Sequence, residues 1–80
     1  MKLTYDPKHN VAYIRLADRP TKVETLRIRH EINVDIAPDG TVFGIELLNA
    51  NAQLCGPEGD RLVLLNEATG EQAELPLSSP

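Results

Sequence analysis

The chain has no tryptophan, one phenylalanine, two tyrosines and a single cysteine, Cys55. Aromatics this scarce leave few platforms on which bases could stack, which argues against a nucleic-acid partner. Basic residues are also in the minority: eight Lys and Arg stand against twelve Asp and Glu, for a net charge of −4. One cysteine forms no internal disulfide and leaves a metal framework without ligands, a usage that fits a reducing compartment. The longest purely apolar run, Leu62 to Leu65, is far short of the roughly 20 residues a membrane helix needs. The opening MKLTYDPKHN has no apolar stretch of the kind a signal peptide carries. The expectation is a soluble, cytoplasmic protein with no membrane partner.

What is present in abundance is alternation. From Leu26 to Ile36 apolar and polar residues take turns, with Leu26, Ile28, His30, Ile32, Val34 and Ile36 on one parity. Arg27, Arg29, Glu31, Asn33 and Asp35 fall on the other, so the stretch reads as sheet with one dry and one wet face. Eleven residues is about twice the usual strand length, which predicts an interruption. The polar triplet Arg29-His30-Glu31 is the expected place, as a turn or a bulge, because His30 sits awkwardly on the apolar parity. A second alternation, Phe43, Ile45 and Leu47, follows Ala37-Pro38-Asp39-Gly40. For both apolar sets to share a face, paired positions must sum to an odd number. A four-residue loop, Ala37 to Gly40, satisfies that condition with Gly40 at positive φ, pairing Val34 with Phe43 and Ile32 with Ile45.

Upstream, Lys2 to Tyr5 and Val11 to Leu16 read as strands joined by the turn cluster Asp6-Pro7-Lys8-His9-Asn10. Ala17-Asp18-Arg19-Pro20 breaks the second, and a third begins near Lys22 or Val23. Asn49 to Leu54 has little β character and allows at most one short helical turn. Residues 56–60 form a breaker-rich connector, 61–77 a second hairpin turning near Thr69-Gly70, and 78–80 a loose end. Pro76 suits an edge strand. The fold class is therefore all-β, or β-rich α+β: a small, mainly antiparallel meander sheet folded into a sandwich or half-barrel. Residues 1–80 are expected to make a single domain.

Tyr5-Asp6, Tyr13-Ile14-Arg15-Leu16, Asn33-Val34-Asp35, Asp39-Gly40 and Gly44-Ile45-Glu46-Leu47-Leu48-Asn49-Ala50 occur in an order and spacing with a counterpart. Over residues 1–50 the chain resembles the small bacterial family called domain of unknown function 2283. The resemblance implies a compact β-rich domain without assigned chemistry. It also suggests an antitoxin-like role, since members are sometimes encoded beside small toxin-like proteins. The chain departs from the family pattern at Lys8-His9-Asn10, where an acidic residue is usual, and at Arg29-His30-Glu31, where an acidic, Gly-containing turn is usual.

No phosphate loop, nucleophile elbow or HExxH motif occurs, and no catalytic, cofactor-binding or metal-ligating residue is assigned. The polar-face candidates are Asn33, Asp35, Gly44 and Glu46, on adjacent strands opposite the apolar face. Paired carboxylates share protons or hold cations, and Gly44 leaves room for close approach. The plain alternative is that these groups solvate the wet side of an antiparallel sheet. His9 and His30 lack a third ligand, and Cys55 lacks an activating base. Leu62, Val63, Leu64 and Leu65 are apolar on both parities and form a candidate interface. Residues 1–30 carry seven Lys or Arg against three Asp or Glu; residues 31–80 carry one against nine. Such polarity could steer a partner or a second copy. The expected function is a non-catalytic β domain that self-associates, as a homodimer, or binds another small protein. An antitoxin-like partner and a small cation-binding or enzymatic site at Asp35 and Glu46 are the alternatives, and no cofactor is expected.

Overall fold

A computed structural model describes residues 1–18, 22–56 and 61–77. Five strands form one antiparallel sheet: β1 (Lys2–Asp6), β2 (Val11–Arg15), β3 (Glu24–Arg29), β4 (Ile32–Ile36) and β5 (Val42–Leu48). A single helical turn, α1 (Ala50–Gln53), follows β5, and β6 (Arg61–Leu65) with β7 (Gln72–Pro76) makes a separate hairpin. The sheet order is β1-β2-β5-β4-β3, so two local meanders are joined where β2 pairs with β5.

The turns follow from side-chain chemistry. Between β1 and β2, Asp6 Oδ1 accepts the backbone N–H groups of Lys8 (3.1 Å) and His9 (3.2 Å), and Asn10 takes φ 60. Asn tolerates the left-handed region better than most residues, which suits it to close this loop. His30 and Glu31 form the turn between β3 and β4, with a register shift between Arg27 and Arg29. The long alternation is thus cut by a turn and a bulge together, and the third strand starts at Glu24 rather than at Lys22 or Val23.

The β4–β5 hairpin departs from the expected register. Val34 pairs with Ile45 and Ile32 with Leu47, two residues further along β5 than expected. The odd-sum rule holds for these pairs, but a shift between Asp35 and Ile36 sets Ile36 opposite Val42 and leaves Phe43 out of the ladder. That bulge lengthens the loop to Ala37–Thr41, closed by bonds from Ala37 N to Thr41 O (2.8 Å) and from Gly40 N to Ala37 O (2.9 Å), with Gly40 at φ 91. Hydrophobic parity specifies which face a side chain takes but is blind to slips of two residues.

One face of the sheet carries the row Leu3, Ile14, Ile45, Val34 and Leu26, and beside it Tyr5, Ala12, Leu47 and Ile32. The turn α1 packs on β2 and is held by a clasp of asparagines. Asn10 O accepts from Ala50 N (3.1 Å), Asn10 Oδ1 accepts from Asn51 N (2.7 Å), and Tyr5 Oη donates to Asn51 Oδ1 (2.6 Å). Gln53 Nε2 donates to the carbonyls of Leu48 (2.7 Å) and Glu31 (3.1 Å), tying the end of α1 to the β3–β4 turn. Among the described residues the buried apolar ones are few: Ala12, Ala37, Phe43 and Ala50. The remaining apolar residues of the sheet are half-buried or exposed, and the β6–β7 hairpin touches the large sheet little.

Candidate functional site

The polar face of the large sheet brings the expected residues together in two separate pairs. Register sets Asn33 opposite Glu46 and Asp35 opposite Gly44, on the central strands β4 and β5. Asn33 Nδ2 donates to Glu46 Oε1 at 2.9 Å. Asp35 accepts from Tyr13 Oη and from Thr25 Oγ1, both at 2.6 Å, so its two oxygens are bonded from opposite sides. Asp35 and Glu46 are therefore held by different partners. Among the described residues no three His, Cys, Asp or Glu side chains gather as a metal site would need.

Gly44 has a role the sequence did not disclose. The Tyr13 ring lies directly over its Cα on the way to Asp35, in the space where a side chain at 44 would stand. A glycine on the central strand is thus occupied by an aromatic from its neighbour, a known way of offsetting a strand glycine. The signal available in sequence was a lone Gly inside a strong strand pattern, which marks close approach of another group. The approaching group is Tyr13, a part of this chain.

At the sheet's end, His9 Nδ1 lies 2.6 Å from Asp6 Oδ2, in an exposed turn. The hydrogen bond with the His9 ring, and then the His9 and Lys8 backbone N–H groups, hold the Asp6 carboxyl below the usual aspartate range. A carboxyl depressed by folding stabilises the fold above its unfolded pKa and loses that contribution as pH falls through the folded value. The midpoint of Asp6, followed by carbon-detected NMR, should lie below that of a free aspartate and rise in His9→Ala. An unchanged midpoint in His9→Ala would remove the ring as the main cause.

The interface candidates lie on the hairpin, where Leu62 pairs with Leu75 and Leu64 with Ala73. Leu62, Leu64, Leu65 and Leu75 are all exposed, and Val63 is half-buried. Arg61 and Glu74 form an ion pair at 3.0 Å on the face that carries Val63 and Leu65, opposite Leu62, Leu64 and Leu75. A cleft of about 390 Å³ separates the hairpin from β1, lined by Met1, Leu3, Tyr5, Leu62, Leu75, Pro76 and Leu77. Another, of about 370 Å³, lies among Lys22, Val23, Glu24, Ile36, Ala37, Pro38 and Gly40. Neither is lined by Asn33, Asp35 or Glu46. Cys55 is a free, exposed thiol, and among the described residues no helix is long and apolar enough to cross a membrane.

Fold and polar face together define a small antiparallel β protein whose polar-face carboxylates, Asp35 and Glu46, are bonded within the sheet. The family model described as "Protein of unknown function (DUF2283)" matches residues 2–51, and the chain belongs to that family. The matched segment spans the five-stranded sheet and the start of α1, and stops before the hairpin. No curated protein and no solved structure matches the chain. Several residues of the family-like motifs have structural work here: Tyr5, Asn49 and Ala50 belong to the clasp, and Tyr13, Asp35 and Gly44 to the ring-over-glycine arrangement.

Proposed function

We propose that this chain is a non-catalytic β module that works by association, first of all with a second copy of itself. The observation that supports the reading is surface in excess of what one compact chain exposes. The accessible area is 6033 Å², whereas a compact monomer of this mass exposes about 4,800 Å². The radius of gyration is 14.2 Å, against about 11.6 Å for a compact domain of this length. The excess, about 1,200 Å² per chain, is as much as each partner gives up in a sizeable stable interface. Its chemistry is apolar where it counts: Leu26, Ile28, Leu64 and Leu75 are exposed on elements whose other faces carry the charges. Burying a leucine or isoleucine fully is worth about 1.5–3 kcal/mol, a strong incentive in so small a domain.

The bonded state of Asp35 and Glu46 favours association over catalysis at the polar face. Sedimentation equilibrium over a wide concentration range tests the proposal. A mass tending to twice 8.8 kDa supports it. A single 8.8 kDa species up to the highest soluble concentration overturns self-association. In that event, co-purification with a small basic protein would favour the reading as another protein's partner.

A further inference from the structure

The apolar face of the large sheet is not evenly bare. On the β1 side, Leu3 and Tyr5 are half-buried and face the base of the chain's own hairpin across the cleft at Leu62 and Leu75. On the β3 side nothing lies over the sheet among the described residues, and every residue of β3 is exposed, Ile28 at 60%. The β3 edge is itself a poor place for another strand to add. The register shift between Arg27 and Arg29 leaves Ile28 without a partner, and bulges and charged side chains are what blunt an edge against pairing. An occupant of this half must come over the face.

The hairpin has the complementary needs. A two-stranded ribbon is marginal in water unless it packs on something, and its Leu64 is 65% exposed. Beside Leu64, a cleft of about 270 Å³ is walled by Asn66, Glu71, Gln72 and Ala73, putting an apolar and an acidic wall together. On β3 an apolar and a basic side chain, Ile28 and Arg29, are adjacent in the same way. The charges match as well. Residues 61–77 carry Glu67, Glu71 and Glu74 against one cation, Arg61, which is paired with Glu74. β3 carries Arg27 and Arg29 against Glu24, with Arg29 opposite Ile32 of the apolar face and Arg27 opposite Asn33 of the polar one, and neither arginine has a carboxylate partner among the described residues. Complementary potentials of this kind select partner and register.

We infer that two copies exchange their C-terminal hairpins, each β6–β7 hairpin lying across β3 of the other copy with Leu64 and Glu71 against Ile28 and Arg29. The inference rests on the self-association proposed above and names its interface. The contact is made twice about a two-fold axis, as in a closed isologous dimer. Leu64 shares its face of the hairpin with Leu62 and Leu75, so that one face meets the chain's own β1 at its base and the partner's β3 at its outer end.

Charge reversal on the full-length chain tests it. One variant carries Arg29→Glu; the other carries Glu71→Lys. Both positions are exposed, and circular dichroism verifies that each variant keeps its fold. Each variant alone sets like charges opposite each other at both contacts, and its dimer dissociation constant should weaken by about tenfold or more. An equimolar mixture matches charges again at both contacts, so a heterodimer of near wild-type affinity is expected. A wild-type dimer that is indifferent to the reversals, or variants that weaken but are not rescued by mixing, would overturn the exchange while leaving self-association standing. A wild-type chain that never dimerises removes both.

Discussion

Phe43→Ala is expected to be the most damaging single change in the chain, costing about 3–4 kcal/mol. Phe43 is the largest of the four buried apolar residues among the described ones, at 7% exposure. Its ring stands 6.3 Å from that of Tyr13 at 49°, a tilted pair of the kind that adds to area burial. Its carbonyl accepts the N–H of Leu16 at 2.8 Å, anchoring the chain as it leaves β2. Alanine would leave a cavity at the point where the β4–β5 bulge turns the strand. A domain of this size has a total stability of about 4–12 kcal/mol, so the loss is a large share of it. Thermal melts at fixed protein concentration should show a midpoint lower by about 15–25 °C, with Phe43→Leu keeping most of the difference. A drop equivalent to less than about 1 kcal/mol would mean that Phe43 is not the anchor of this corner.

Gly44→Ala should cost about 2 kcal/mol, and its sign should reverse when Tyr13 is removed. In the native chain the new Cβ would occupy the position of the Tyr13 hydroxyl end. The ring can swing aside, but it then gives up its 2.6 Å bond to Asp35, a charge-assisted contact whose net worth is about 1.5–3 kcal/mol. In Tyr13→Ala the space is open, and Gly44→Ala should then stabilise by about 0.5–1 kcal/mol, because a strand glycine is entropically costly. Denaturant melts of the four chains in a double-mutant cycle give the coupling directly. Equal effects of Gly44→Ala in both backgrounds would refute the arrangement.

Much of the fold is legible in the residues because alternation and turn chemistry are local. The run from Leu26 to Ile36 marks two strands, and the polar triplet Arg29-His30-Glu31 marks their junction. Asp39-Gly40 and Thr69-Gly70 place the later turns, and Gly40 and Gly70 do take positive φ (91° and 78°). The helical turn after Asn49 is also visible, though Asn10 and Asn51 as its clasp are not, since they lie 41 residues apart and carry no motif. The candidate site is legible to the same depth. Asn33, Asp35, Gly44 and Glu46 share a face by parity, but parity says nothing of Tyr13 and Thr25 arriving from the flanking strands to bond Asp35.

By itself, then, the sequence determined strand identity, the faces of the sheet, the places where the chain turns and the family to which residues 2–51 belong. These depend on neighbours within a few residues, where side-chain period and backbone preference act directly. Only the tertiary structure decided that β2 lies beside β5, that β4 and β5 pair two residues further along with Phe43 bulged, and that Tyr13 fills the space over Gly44. Slips of two residues keep every side chain on its face and cost nothing in pattern. The choice among them rests on packing between distant segments, which no local period encodes.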